Sequence, residues 1–363
     1  MTLKWKKVRL GDVAELQRGF DLPSTKRIEG EIPIVSSSGI TGFHVEAKAK
    51  APGVVTGRYG SIGDVFYLEQ DFWPLNTSLW VKDFHGNDEK FIYFLLSNFD
   101  FKKFSDKTGV PGVNRNDLHA VNVLLPPFLE QKKIAQILST WDKAISVMEK
   151  LLTNSQQQKK ALMQQLLTGQ KRLLDENGVR FNGKWEKKLL SDVADVYQPK
   201  TISQSMMSDS GYPVYGANGV IGFYQEFNHE TEQIAVTCRG STCGIVNWTQ
   251  AKSWITGNAM VINTDNYSYV SKKFLFYTLN GSDLKYLISG SGQPQITGNI
   301  KTHIINLPCI EEQQKIATVL SAADAEIYTL EKKLACLRDE KKALMQQLLT
   351  GKRRVKVDEA VAE

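Results

Sequence analysis

The chain has 363 residues, 45 Lys and Arg against 39 Asp and Glu, a formal net charge of +6, and 42% hydrophobic residues. That length suits two domains of about 100–200 residues each, and so small a basic excess permits a polyanionic partner without demanding one. No stretch approaches the ~18 apolar residues of a membrane helix, and the basic start MTLKWKKVRL leads into no apolar signal core, so a cytoplasmic protein without membrane contact is expected.

Residues 1–125 open on KWKKVRLGDVAEL and continue with short apolar runs at 32–35, 53–56, 64–68 and 78–81. Gly, Ser, Asn and Pro separate these runs, which predicts short strands joined by exposed loops. A helix is expected at 89–98. The loop GRYGSIG carries Arg58, Tyr59 and Ser61, and a later loop carries Asn114, Arg115 and Asn116. Arginine pairs bidentately with guanine, and Asn or Gln with adenine. Glycine lets a backbone N–H approach a phosphate.

From 129 to 168 there is neither Gly nor Pro. Apolar residues recur at alternating steps of four and three: Ile134, Leu138, Trp141, Ile145, Met148, Leu152, then Leu162 and Leu166. That is a coiled-coil seam, interrupted at Ser155 and Lys159. Thr168-Gly169 is a helix stop. At ~1.5 Å per residue such a helix is a rod of about 60 Å. The alternative is a pair of helical hairpins, each broken near its middle, at 153–155 in this copy.

Residues 171–307 repeat the first block loosely. KWEKKLLSDVADV resembles KWKKVRLGDVAEL, and YPVYGANGVIGFY resembles IPIVSSSGITGFH. Arg58 and Gly63 fall over Arg239 and Gly244; Gly109 and Pro111 fall over Gly292 and Pro294. A helix is expected at 271–280. The polar loop residues are Arg239, Ser241 and Thr242 in CRGSTCG, then Gln293, Gln295, Thr297 and Asn299. The four cysteines, Cys238, Cys243, Cys309 and Cys336, lack paired spacing and are expected as reduced structural thiols.

From 308 onward the repeat is nearly literal. EQQKIATVLSAAD lies over EQKKIAQILSTWD, and KKALMQQLLTG occurs unchanged at both helix ends. The second seam is Ile316, Leu320, Ala323, Ile327, Leu330, Leu334, Leu337, Leu344 and Leu348, interrupted at Lys341. A lone rod with an apolar stripe needs a partner, and the other copy supplies one. Antiparallel pairing follows if the first helix carries the chain from one domain to the other and the second brings it back.

Catalytic motifs are sparse. Leu125-Pro126-Pro127-Phe128 imitates the amino-methyltransferase Asp/Asn-Pro-Pro-Tyr/Phe motif, but Leu125 lacks the acceptor, as does Leu307 in Leu307-Pro308-Cys309-Ile310. The prolines suit a break before each helix. No glycine-rich phosphate cradle follows a strand. Glu186-Lys187-Lys188 has no clear upstream acidic partner, and the five histidines lack metal-ligand spacing.

The order variable, constant, variable, constant resembles the specificity subunit of Type I restriction–modification enzymes across the whole chain. The resemblance rests on LPPFLEQKKIAQILSTWD, LPCIEEQQKIATVLSAAD and the two copies of KKALMQQLLTG. It implies an α+β fold in which two mixed target-recognition domains are separated by two long antiparallel coiled-coil helices, a pseudo-two-fold internal repeat. The parts would be recognition domains at 1–125 and 171–307, a central helical region at 126–170 and a distal one at 308–363. It further implies a non-catalytic, cofactor-free subunit that reads a bipartite double-stranded DNA target. Two methyltransferase subunits, which carry S-adenosylmethionine, would bind it, and two ATP-dependent restriction subunits can join. The competing readings are a stand-alone two-headed DNA-binding regulator, a fused restriction–methylation polypeptide and a coiled-coil scaffold.

Overall fold

The computed structural model describes residues 4–105, 112–217, 219–290 and 294–357. It divides into two compact units, Met1–Glu149 with Lys332–Glu363, and Lys150–Glu331. No helix among the described residues is long and apolar enough to cross a membrane.

Among the described residues, nine strands build the first unit: β1 (Lys6–Arg9), β2 (Glu15–Arg18), β3 (Ile32–Ser36), β4 (Gly39–His44), β5 (Gly53–Gly57), β6 (Val65–Leu68), β7 (Trp73–Pro74), β8 (Ser78–Asp83) and β9 (Asn122–Leu125). They form an antiparallel sheet in the order β2-β8-β5-β6, a three-stranded sheet β4-β3-β7, and the pair β1-β9. β3 and β7 run parallel, with Ile34 opposite Trp73. Two short helices, α1 (Glu89–Ser97) and α2 (Arg115–His119), lie between β8 and β9. Asp88 starts α1 by accepting from the Phe91 backbone N–H at 2.8 Å, which satisfies one of the donors a helix start leaves open.

The first long helix, α3 (Phe128–Leu167), spans 40 residues without interruption, so the broken-hairpin alternative does not hold. Ten strands and helices of the second unit repeat the first: β10 (Glu186–Leu189), α4 (Leu190–Val193), β11 (Asp195–Tyr197), β12 (Tyr212–Gly216), β13 (Gly219–Tyr224), β14 (Ile234–Thr237), β15 (Val246–Trp248), β16 (Trp254–Ile255), β17 (Ala259–Asn263) and α5 (Lys272–Asn280). Then come β18 (Ile304–Leu307) and the second 40-residue helix, α6 (Ile310–Leu349). The sheets are β11-β17-β14-β15, β13-β12-β16 and β10-β18, the same pattern as before.

Each unit draws its core from its four-stranded sheet, a short helix and both long helices. In the first, Phe91, Phe94 and Leu96 of α1 cluster with Ile134 and Leu138 near the start of α3 and Leu348 and Leu349 at the end of α6. In the second, Phe274, Tyr277 and Leu279 of α5 cluster with Leu166 at the end of α3 and Ile316 and Leu320 near the start of α6. Burying a side chain of this size contributes roughly 1.5–3 kcal/mol. The helix ends are therefore parts of the globular cores.

The seam assigned from heptad spacing is the covered face. Ile134, Leu138, Leu166, Ile316, Leu320, Leu334 and Leu348 are buried. Trp141, Ile145, Met148, Leu152, Leu162, Ile327, Leu330 and Leu344 are half-buried. The polar interruptions are paired. In the first unit Lys341 meets Asp142 and Arg338 meets Glu149. In the second Lys159 meets Asp324, and Ser155 Oγ donates to Glu326 at 2.9 Å. Advancing along α3 moves the partner backward along α6 in both units, so the helices run antiparallel.

Candidate nucleic-acid interface

β5 ends at Gly57, where the chain doubles back. A Cβ there would lie 1.8 Å from the Ser61 carbonyl oxygen, so only glycine fits. Gly60 and Gly63 continue the turn at φ +77° and +101°, a region open to glycine at little cost. Arg58 leaves this loop with its guanidinium 4.5 Å from the centroid of Tyr59, and its Nη1 donates to the Asn76 carbonyl at 3.5 Å. The Arg58 carbonyl accepts from the Val113 N–H at 3.0 Å. A Cβ on Gly112 would meet Tyr59 Cε1 at 2.5 Å, so the ring lies directly on that glycine.

These contacts bring the two predicted loops together. Arg58, Tyr59, Asn114 and Arg115 line one cleft of about 770 Å³, joined by Gln17 and Arg18, which sequence reading missed. Ser61 and Asn116 do not line it. Asn114 is partly engaged as the cap of α2, its Oδ1 accepting from the Asn116 N–H at 3.0 Å.

The second unit repeats the juxtaposition of loops but corrects the expected alignment: Tyr59, not Arg58, is the counterpart of Arg239, since Tyr59 bridges Gly112 as Arg239 bridges Gln295. Arg239 follows β14 and pairs with Gln295. Gly240 N–H donates to the Pro294 carbonyl at 3.0 Å, and Ile296 N–H to the Cys238 carbonyl at 3.0 Å. The loop of exposed Arg239 and Ser241, with half-buried Thr242, thus stands beside exposed Gln295 and Thr297. Gly240 and Gly244 take φ +85° and +92°. Asn299 is bonded at both ends of its amide: Oδ1 accepts from the Thr297 N–H at 3.1 Å, and Nδ2 donates to Leu287 O at 2.8 Å. That makes it a turn-former first. Gln293 lies outside the described residues.

Each unit also holds a junction that the sequence did not reveal. Glu130, in the first turn of α3, is buried and gripped bidentately by Arg354, whose Nε and Nη2 each lie 2.7 Å from a carboxylate oxygen. Trp5 Nε1 donates to the same carboxylate at 3.0 Å. The second unit builds the matching set. Arg172 holds Glu312 at 2.5 and 2.6 Å, and Trp185 Nε1 donates to it at 3.2 Å. Gly351 and Gly169, both with positive φ, end the long helices against the faces of Trp5 and Trp185. Burial alone would raise the Glu130 carboxyl, but the hydrogen bonds from Arg354 and Trp5 and the Arg354 charge outweigh it and hold it below the ordinary range.

The neighbouring glutamines complete the junctions. Gln131 accepts from the Asp88 N–H at 3.0 Å and donates to Pro126 O at 3.0 Å. Gln313 accepts from the Ser271 N–H at 2.8 Å and donates to Pro308 O at 2.8 Å. The repeated Glu-Gln and the prolines before it are thus domain-to-helix fasteners, which accounts for the Leu-Pro-Pro-Phe run.

Two readings need correction. Cys309 and Cys336 are exposed, so only buried Cys238 and half-buried Cys243 fit a packing role. Burial pushes both of those thiols up. His85 is not isolated either: its ring, Glu15 and Asp83 place their polar atoms within 4.8 Å of one another on the surface, where Lys82 already meets Glu15 at 3.3 Å. The other histidines are each tied locally; His119, for example, accepts from the Leu16 N–H at 2.8 Å.

Comparison with known proteins agrees with this architecture. The family model described as Type I restriction modification DNA specificity domain matches residues 2–154 and again 182–336. The Type I restriction enzyme MjaVIII specificity subunit of Methanocaldococcus jannaschii is 26% identical over 97% of this chain and 93% of its own length. The crystal structure of a Type I restriction–modification S subunit from M. genitalium superposes with a TM-score of 0.70 at 17% identity, covering 96% of each chain. A chain from a study of complex assembly and conformational transition in the type I R-M system gives a TM-score of 0.58 at 16% identity, over 97% of this chain and 100% of that one. The duplicated family match, the repeated fold and the repeated helices together place this chain in the Type I restriction–modification DNA specificity family, in the role of a specificity subunit.

Proposed function

We propose that the recognition domains at 1–125 and 171–307 each read one half of a split double-stranded DNA target. The helical regions at 126–170 and 308–363 then set the distance between the halves and carry two methyltransferase subunits. The chain supplies recognition and no catalytic group. The methyltransferase subunits bring S-adenosylmethionine, and ATP-dependent restriction subunits can join the assembly.

The observation that carries this reading is the matched pair of loops. Each unit presents an arginine on a glycine turn next to a second polar loop, on the same sheet framework, yet the surrounding polar residues differ. A shared framework with unlike polar tips is what two readers of different half-sites require. The test is DNA binding by the chain assembled with its methyltransferase subunits. Arg58→Ala is expected to lose discrimination in one half-site and Arg239→Ala in the other, each at about 1–3 kcal/mol. Specific binding by the purified chain alone, undiminished when the methyltransferase is absent, would favour a stand-alone regulator. Labelled methyl groups in DNA from the pure chain would contradict the recognition-only role.

A further inference from the structure

Two arginines of the first unit's cleft are joined by a polar network that the second unit lacks. Arg18 ends β2 and lines the cleft beside Gln17. Its Nη2 lies 3.3 and 3.4 Å from the two carboxylate oxygens of Asp21. Asp21 also accepts from the Asn76 side-chain amide. The Asn76 carbonyl in turn accepts from Arg58 Nη1 at 3.5 Å. A continuous chain of contacts therefore runs Arg18, Asp21, Asn76, Arg58.

Strand register locates the corresponding positions in the second unit. Leu16 of β2 faces Val81 of β8, as Val196 of β11 faces Ile262 of β17, so Arg18 corresponds to Gln198. The turn at Asn76 after β7 corresponds to the turn at Gly257 after β16. Asp21 corresponds to Thr201, one residue before buried Ile202, as Asp21 precedes buried Leu22. The second unit has neither the carboxylate nor the second guanidinium. Its Gln198 amide is turned inward, donating to the Gly257 carbonyl.

We propose that Arg18 is a second base-reading residue of the first domain, aimed at a guanine edge by Asp21, with Asn76 coupling it to Arg58. This rests on the reading that the cleft binds DNA. The pair is too exposed to be a fold-stabilising bridge, with side-chain exposures of 51% and 66%. What a carboxylate beside an arginine does supply is orientation of the planar fork. It also offsets the local positive charge, which weakens the pull on a phosphate and leaves a neutral base edge as the better partner. Guanine O6 and N7 are the acceptors that such a fork fits. The second domain then reads its half-site with one arginine and amides, so the two half-sites differ in composition.

The experiment compares wild type, Arg18→Ala and Asp21→Asn, each assembled with the methyltransferase subunits. The probes are a duplex carrying the mapped target and duplexes with each base pair replaced in turn. Arg18→Ala is expected to bind the native duplex about ten- to hundred-fold more weakly and to become indifferent to one G·C pair of the first half-site. Discrimination in the second half-site should not change. Asp21→Asn retains the guanidinium but discriminates less at that same pair, with a steeper salt dependence as phosphate attraction grows. Both positions are exposed, so melting temperature should stay that of wild type. Unchanged binding by Arg18→Ala would overturn the proposal. So would an equal loss on every duplex with a shallower salt dependence, which assigns Arg18 to a phosphate. A wild-type complex without sequence preference would instead bring down the DNA-recognition reading itself.

Discussion

Arg58 and Arg239 stood out because the linear repeat aligned them, but in the fold the Arg58 carbonyl accepts from Val113 N–H as the Cys238 carbonyl accepts from Ile296 N–H, so the second arginine sits one position later on its loop. Arg18 was not legible, because it is paired with a glutamine in the repeat and meets Arg58 only through Asp21 and Asn76. The setting of Arg58 depends on Gly112, whose missing Cβ leaves room for the Tyr59 ring. Gly112→Ala is expected to displace Tyr59 and to weaken first-half discrimination, measured by the same substituted duplexes. The junction carboxylates were hidden for a different reason: Glu130 and Arg354 are 224 positions apart. Glu130 has its carboxyl held low in the fold, so its stabilisation is fully present above the unfolded value of about 4.3. It is lost as pH falls through the lower folded value. Glu130→Gln should therefore flatten the acid limb of a melting-temperature profile below about pH 4.3, while reducing stability at neutral pH. An acid limb identical to wild type would remove the carboxylate from the account.

The long helices were the most legible elements, since a seam of fours and threes without Gly or Pro admits little else. Their polar interruptions are where sequence patterning ran out: Lys159 and Lys341 sit on the seam and close onto Asp324 and Asp142. Asp at both Ile145 and Ile327 would place unpaired charge on half-buried seam positions, and the double variant is expected to lose several kcal/mol in a denaturant melt. A melt like wild type would mean the seam is misassigned. The segment after α6, expected as part of the distal helical region, is held in the first unit, because Arg354 grips buried Glu130 and Val355 packs on the core. Truncation after Gly351 leaves Glu130 without its arginine and is expected to cost about 3–5 kcal/mol, as is Arg172→Ala on the matching Glu312. Calorimetry of either variant measures this directly, and an unshifted transition would show the clamps to be idle.

For the molecule as a whole, the repeat is the main fact: two families of loops on one framework, fastened to two helices of 40 residues each. If those helices set the spacer, one heptad added to both lengthens each by about 10 Å, or roughly three base pairs at ~3.4 Å each. A longer preferred spacer, or loss of modification, is expected; an unchanged spacer with full modification would remove the ruler. The central claim is that two separate readers recognise two halves of one target. It is tested most directly by sequencing methylated bases in cells that carry this chain with its methyltransferase. The account predicts one split motif with a fixed unspecified gap, degraded in one half by Arg58→Ala and in the other by Arg239→Ala. A contiguous motif, or one that both substitutions degrade identically, would contradict it.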